Sequence, residues 1–200
     1  IYSVFVTSDS KSKGQLKWEA QFGDLNWDNL FSKMIRTTQE VKLRWFQFRV
    51  LHRILTTNTF LFKLKYTQND LCTFCQAESE TISHIFWHCK FTQLFWNDFS
   101  LWIEKCSHIH NMNLSIELIL FGVKDNIVTD TVFDFMLLFA KFFLYKCKLQ
   151  KNKPLFKRFT REFHDRYKIE RDIAFSNGNA DKFYKSWMLY HVLFSSDEQQ

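Results

Sequence analysis

The chain has 200 residues, 46% of them hydrophobic and 18% aromatic with 24 Phe, which excludes a disordered tail and suffices for one domain with a core or two small ones. Four Gly and one Pro leave little material for tight turns and hairpins, so the chain reads as all-α. The net charge of +6 is concentrated in positions 141–171, where eleven Lys or Arg face three Asp or Glu, and such a stretch suits a nucleic acid better than a membrane surface.

In chain order, helical periodicity begins at Gln15 to Phe22, with Leu16, Trp18 and Ala20 near one face. Asn26 caps a second helix in which Trp27, Leu30, Phe31, Met34 and Ile35 recur every three or four residues. Thr37 or Thr38 caps a longer one. Its apolar stripe is Val41, Trp45, Phe48, Leu51 and Leu55, with Lys42, Arg44, Arg49, His52 and Arg53 largely elsewhere. Asn58 starts a short helix through Phe60, Leu61 and Leu64. Thr67 to Asp70 turns the chain toward Cys72, and Ser79 caps a helix through His84 and Phe86 to Cys89. Phe91 to Cys106 repeats the pattern, and the polar stretch His108 to Asn113 marks a boundary between 1–107 and 114–194. Ser115 opens a short helix that Gly122 closes. An apolar helix runs from about Val128 to Leu149, then a basic one from about Leu155 to Phe175 with Pro154 at its first turn. After the Asn177-Gly178-Asn179 turn, Asp181 to Phe194 forms the last helix. The run Val132 to Tyr145 contains Asp134 and Lys141 and is too short for a bilayer of about 30 Å, so it reads as buried. No leader pattern opens the chain, which starts at Ile1 and is expected to be a segment of something longer.

Five cysteines, an odd and clustered set, point to a reducing intracellular setting and to metal rather than to disulfides. Cys72, Cys75, His84 and Cys89 form a C-x2-C-x8-H-x4-C pattern. Two cysteines two apart place both sulfurs on one ion, while His84 and Cys89 lie a little beyond one helical turn apart and meet if the helix ends or loosens. Three thiolates and one imidazole close a tetrahedron around Zn2+ with no position for water, a structural site. His88, four residues after His84, is the alternative ligand; His84 is preferred because it leaves Cys89 free to complete the set. A zinc deaminase is excluded, since no H-x-E element precedes Cys72. Cys106 and Cys147 read as ordinary buried cysteines.

The run KLRWFQFRVLHRILTTNTFLFKL, followed by LCTFCQAESETISHIFWHCKFTQLFW, resembles the zinc-binding region after the polymerase in reverse transcriptases of non-LTR retrotransposons. The aromatic helix ending in His52-Arg53-Ile54-Leu55-Thr56-Thr57 stands where that family has an arginine and a Leu-Pro/Gly-Thr turn; Thr56-Thr57 departs from it. Glu80-Thr81, His84-Ile85-Phe86, Cys89 and Trp96 follow the family's Glu-Thr, His-Leu-Phe-x-x-Cys and closing Trp pattern. LSIELILFG and KFYKSWMLYHVLF resemble the tail of some such elements, with less specific motifs.

The resemblance implies a non-catalytic helper of target-primed reverse transcription that holds element RNA or target DNA beside the rest of the parent polymerase. The chain carries neither the Asp-Asp dyad of a polymerase nor the motifs of the endonuclease, so no enzyme activity, small-molecule substrate or membrane partner is expected. Phosphate contacts are expected from Arg44, Arg49, Arg53, Lys63 and Lys65, and from Lys146, Lys148, Lys151, Lys153, Lys157, Arg158 and Arg161, with Phe74 and Trp87 stacking on unpaired bases. The alternative is a zinc-stapled scaffold that contacts the polymerase or another protein and no nucleic acid. The setting implied is a ribonucleoprotein of nucleus and cytoplasm.

Overall fold

The computed structural model describes residues 11–107, 113–123 and 131–187. Over them the chain is helical, and the sole β pairing is the isolated antiparallel bridge between Leu71 and Ser79. Helix α1 (Lys13–Phe22) opens with a capping box, Ser12 accepting from the Gln15 N–H and Gln15 returning the bond. Helix α2 (Trp27–Thr37) starts at Asn26, as expected from its cap. Helix α3 (Val41–Leu51) begins after Glu40, later than a Thr37 or Thr38 cap implies: Thr37 ends α2, and the Thr38 hydroxyl instead accepts from the Glu40 N–H. Helix α4 (Asn58–Lys63) starts at Asn58 as expected, with the Thr57 hydroxyl as its cap.

The face of α3 is the largest departure from the sequence reading. Leu43, Phe46, Gln47, Val50 and Leu51 are buried, whereas Val41 is 75% and Trp45 54% exposed. The helix carries two apolar stripes. The one that meets its neighbours is the stripe through Phe46, whose ring lies edge-on to Phe86 and Phe142 at 6.1 and 5.4 Å.

Beyond the cysteine segment come α5 (Lys90–Ser107), α6 (Ile116–Phe121), α7 (Thr131–Leu149), α8 (Phe156–Ser176) and α9 (Ala180–Trp187). Helix α7 is apolar nearly all round, the mark of a helix buried on every side, and packs against α2, α3, α6, α8 and α9. Its Phe135, Phe139 and Phe143 interleave with Phe95 and Trp102 of α5 and with Phe156, Phe159 and Phe163 of α8. Many of these pairs are edge-to-face, the arrangement the ring quadrupoles favour. Cys147 is buried, as its residue type suggests; the Cys106 side chain lies outside the described residues. So do residues 108–112 of the expected boundary, 128–130 of the apolar helix and 188–194 of the last one. Helices from both sides of 108–112 contribute to one hydrophobic core.

Two close approaches shape the packing. A Cβ on Gly14 of α1 would stand 1.9 Å from the His52 carbonyl oxygen, so α1 crosses the end of α3 at contact distance only because that residue is glycine. Deeper in, Lys141 of α7 is 2% exposed and donates to Gln47 Oε1 (2.6 Å) and to the Leu120 carbonyl (3.1 Å). The Gln47 amide donates to the same carbonyl at 2.9 Å. Burial pulls the Lys141 ammonium down to about 7, opposed by the Asp134 carboxylate and assisted by Lys33.

Candidate metal centre and basic surface

Cys72, Cys75, His84 and Cys89 come together, with one donor atom from each within 4.8 Å of the others. Cys72 and Cys75 sit on a tight loop closed by hydrogen bonds from the Cys72 N–H to the Glu78 carbonyl (2.7 Å) and from the Gln76 N–H to the Cys72 carbonyl (2.9 Å). His84 and Cys89 flank a π-helical turn, His84–His88. In an α-helix, residues five apart point roughly 140° away from each other. Here the Cys89 N–H bonds the His84 carbonyl, an i to i+5 closure that winds the turn wider and brings both side chains to one side. The turn is capped by Thr81, whose hydroxyl accepts from the His84 N–H, and not by Ser79, which lies in the bridge with Leu71. His88 is exposed and outside the cluster.

The distances fit a tetrahedral ion. Zinc–sulfur bonds of about 2.3 Å and zinc–nitrogen bonds of about 2.0 Å give edges of roughly 3.8 and 3.5 Å. Cys72 Sγ and Cys89 Sγ are 3.8 Å apart, and Cys75 Sγ and His84 Nε2 are 3.4 Å apart. On the other ring nitrogen, His84 Nδ1 faces the Glu78 carboxylate at 3.4 Å, the outer contact that fixes tautomer and orientation in zinc-bound histidines.

The sulfurs are also prepared for charge. The Cys89 thiol is pulled down to about 5, first by its hydrogen bond with Cys72 and then by the N–H groups of Phe91 and Thr92 in the first turn of α5. The same bond, together with burial, drives the Cys72 thiol up, while the amides of Cys75 and Phe74 act in the other direction. A divalent ion would favour both sulfurs as thiolates.

Glu80 holds this loop in place, a role the sequence reading did not assign. Its carboxylate is 0% exposed and accepts from the Thr73 N–H (2.7 Å), between the paired cysteines, and from the Asn58 N–H (2.9 Å), at the start of α4. Lys148 of α7 lies 3.5 Å from it. The Asn58 side chain adds a bond to the Leu71 carbonyl (2.7 Å). On the far side of the turn, Thr92 and Trp96 of α5 donate to the Ile85 and Phe86 carbonyls at 2.8 and 2.7 Å. Glu80, Thr81 and Trp96 thus each satisfy a backbone group that the irregular loop leaves unpaired.

The basic residues divide into two groups. Arg44 caps the end of α2 through the Ile35 and Thr38 carbonyls, and Arg53 lies 3.9 Å over the Trp18 ring. Lys146 and Arg158 both pair with Glu162, and Lys148 is buried against Glu80 and the Thr56 carbonyl. Arg49 is half-buried. Lys63, Lys65, Lys151, Lys157 and Arg161 are exposed and make no ion pair among the described residues. Lys153 lies 4.5 Å over the ring of Phe91, with Lys90 5.4 Å from the same ring. Of the two aromatics expected to stack, Phe74 is 4% exposed and belongs to the core, and Trp87 is half-buried against it.

Fold and site together define an all-helical module built around a Cys3His knuckle. Residues 15–96 match a family model described as zinc-binding in reverse transcriptase, a span that includes all four cluster residues, Glu80 and Trp96. Over this stretch the chain is similar to a reverse-transcriptase zinc-binding region. No curated protein matches the chain. Among the described residues, no helix is long and apolar enough to cross a membrane.

Proposed function

We propose that the chain is a non-catalytic segment of a non-LTR retrotransposon reverse transcriptase that binds element RNA or target DNA during target-primed reverse transcription. Cys72, Cys75, His84 and Cys89 would hold one Zn2+ as a closed structural site. The zinc supplies a cross-link, and Glu80 carries the loop's position to α4 and α7. The working place is the parent's ribonucleoprotein, in cytoplasm and nucleus.

The observation that carries this reading is the meeting of the basic segment with the knuckle. Lys153 and Lys90 converge on Phe91, two residues past Cys89. From there Lys151, Lys157 and Arg161 remain exposed with no ion-pair partner among the described residues. Exposed cations next to a rigid knuckle suit a phosphate backbone. A scaffold role toward the polymerase is favoured by a different observation, the internal engagement of Arg44, Arg53, Lys146, Lys148 and Arg158.

Titration of the metal-loaded chain with labelled RNA and DNA over a salt series separates the two. Nucleic-acid binding predicts affinity that falls steeply with salt and drops when Lys151, Lys157 and Arg161 are reversed to Glu together. Binding that is absent or indifferent to salt refutes it in favour of the scaffold.

A further inference from the structure

We infer that Trp45 on the exposed face of α3 is a stacking platform for an unpaired nucleobase, a site that rests on the nucleic-acid reading above and adds a specific contact to it. The indole is 54% exposed although it sits mid-helix in a chain whose other helices bury most of their aromatics. It is held flat. Its ring lies 5.1 Å from Phe48 at an interplanar angle of 3°, Phe48 packs on His52 at 4.2 Å, and His52 stacks on Phe31 of α2 at 5.5 Å. One face of the indole is thus supported by a ladder of rings running back to α2. A supported, solvent-facing ring is what a base stacks on, independently of its sequence.

Charge decides the class of partner. Positions 41–69 contain Lys42, Arg44, Arg49, Arg53, Lys63 and Lys65 and not one Asp or Glu. Lys42 and Arg49 stand three residues before and four after Trp45, spacings that place them beside it on the helix; Lys42 is exposed with its Nζ 5.3 Å over the Phe142 ring, and Arg49 is half-buried. Glu40, the nearest acid on the N-terminal side, is turned to Arg166 at 3.0 Å. An apolar protein partner would account for the exposed rings but not for flanking cations with no acid among them. A nucleic-acid strand accounts for both, with phosphates at Lys42 and Arg49 and a base on Trp45.

The test compares two labelled strands of equal phosphate number, an unpaired RNA 12-mer and an abasic strand, titrated against the metal-loaded 200-residue chain and its Trp45→Ala and Trp45→Phe variants. Because Trp45 lies outside the core, both variants are expected to fold, and circular dichroism confirms it. The wild type should prefer the base-bearing strand by about tenfold, in line with one stacked base. Trp45→Ala should erase that preference without changing affinity for the abasic strand, and Trp45→Phe should keep most of it. Salt-dependent binding that Trp45→Ala leaves unaltered overturns the platform while the nucleic-acid reading survives, and assigns this face to a protein. Wild-type binding to neither strand overturns both.

Discussion

Removing the Glu80 carboxylate probes the joint on which the metal loop depends. In Glu80→Ala the N–H groups of Asn58 and Thr73 lose their acceptor, and Lys148 loses its carboxylate and keeps the Thr56 carbonyl at 3.0 Å and the Tyr145 ring at 5.9 Å. Hydrogen bonds to a charged group contribute about 1.5–3 kcal/mol each. Stripping one partner from a buried ion pair costs about 3–5 kcal/mol. These losses share atoms and do not add, so the expected destabilisation is about 4 kcal/mol. Against a total of roughly 5–15 kcal/mol, that brings the fold close to its limit. Glu80→Gln keeps the shape and one acceptor oxygen and should lose about half as much. Adding Lys148→Met to Glu80→Ala should recover part of the loss by removing the stranded ammonium.

Urea denaturation of the metal-loaded protein measures the stability change, and competition with a chelator measures the metal. Since Thr73 lies between the paired cysteines, zinc affinity should weaken by about 10–100-fold, the usual effect of losing an outer-shell partner. An unchanged midpoint together with unchanged zinc affinity in Glu80→Ala would refute the clamp. Failure of Lys148→Met to recover anything would show that the carboxylate acts through the backbone amides alone.

Elemental analysis should find close to one zinc per chain; Cys72→Ser and His84→Ala should lose it, whereas His88→Ala, Cys106→Ser and Cys147→Ser should retain it. Zinc kept by Cys72→Ser would show a different ligand set. Lys141, pulled down to about 7 in the fold from its ordinary 10.5, makes a pH prediction. Between those values the unfolded chain holds a proton the folded one has released, so stability should rise with pH by about 1.4 kcal/mol per unit. Lys141→Met should remove this slope, and parallel wild-type and variant profiles from pH 7 to 10 would contradict it. Gly14→Ala forces a Cβ to 1.9 Å from the His52 carbonyl oxygen, and should cost about 1–3 kcal/mol in thermal or urea denaturation.

Much of this molecule is legible from spacing alone, and the exceptions share a cause. The all-helical class, the caps at Asn26 and Ser115 and the four clustered residues follow from local rules that tertiary contacts leave intact. The buried face of α3 does not. Val41, Trp45 and Phe48 repeat as regularly as Leu43, Phe46 and Val50, and only the positions of Phe86 and Phe142 decide between them. Periodicity measures that a stripe exists; it carries no information on which of two stripes meets a partner. The same holds for the basic residues. Lys148 and Lys157 look alike in sequence, but one is buried beside Glu80 and the other is exposed. The buried Lys141 gave a weaker cue, since a lone cation inside an apolar run is costly without acceptors, and Gln47 and the Leu120 carbonyl come from distant parts of the chain.

The π-helical turn explains why the cluster needs more than its ligands. An irregular, buried backbone leaves carbonyls and amides that no regular ladder satisfies. Thr92 and Trp96 answer the Ile85 and Phe86 carbonyls, Thr81 the His84 amide, and Glu80 the Thr73 amide. These four residues touch no metal, yet without them the widened turn would relax to an α-helix and swing His84 away from Cys89. A metal bound by four side chains on a floppy loop must order that loop at a cost in affinity. Here the hydrogen bonds to Glu80, Thr81, Thr92 and Trp96 supply the order beforehand, and Ile85 and Phe86 anchor the same turn in the core. The cluster is therefore stiff enough to hold a nearby surface in register. On the nucleic-acid reading proposed above, that stiffness would keep the exposed cations beside the knuckle in register with a strand.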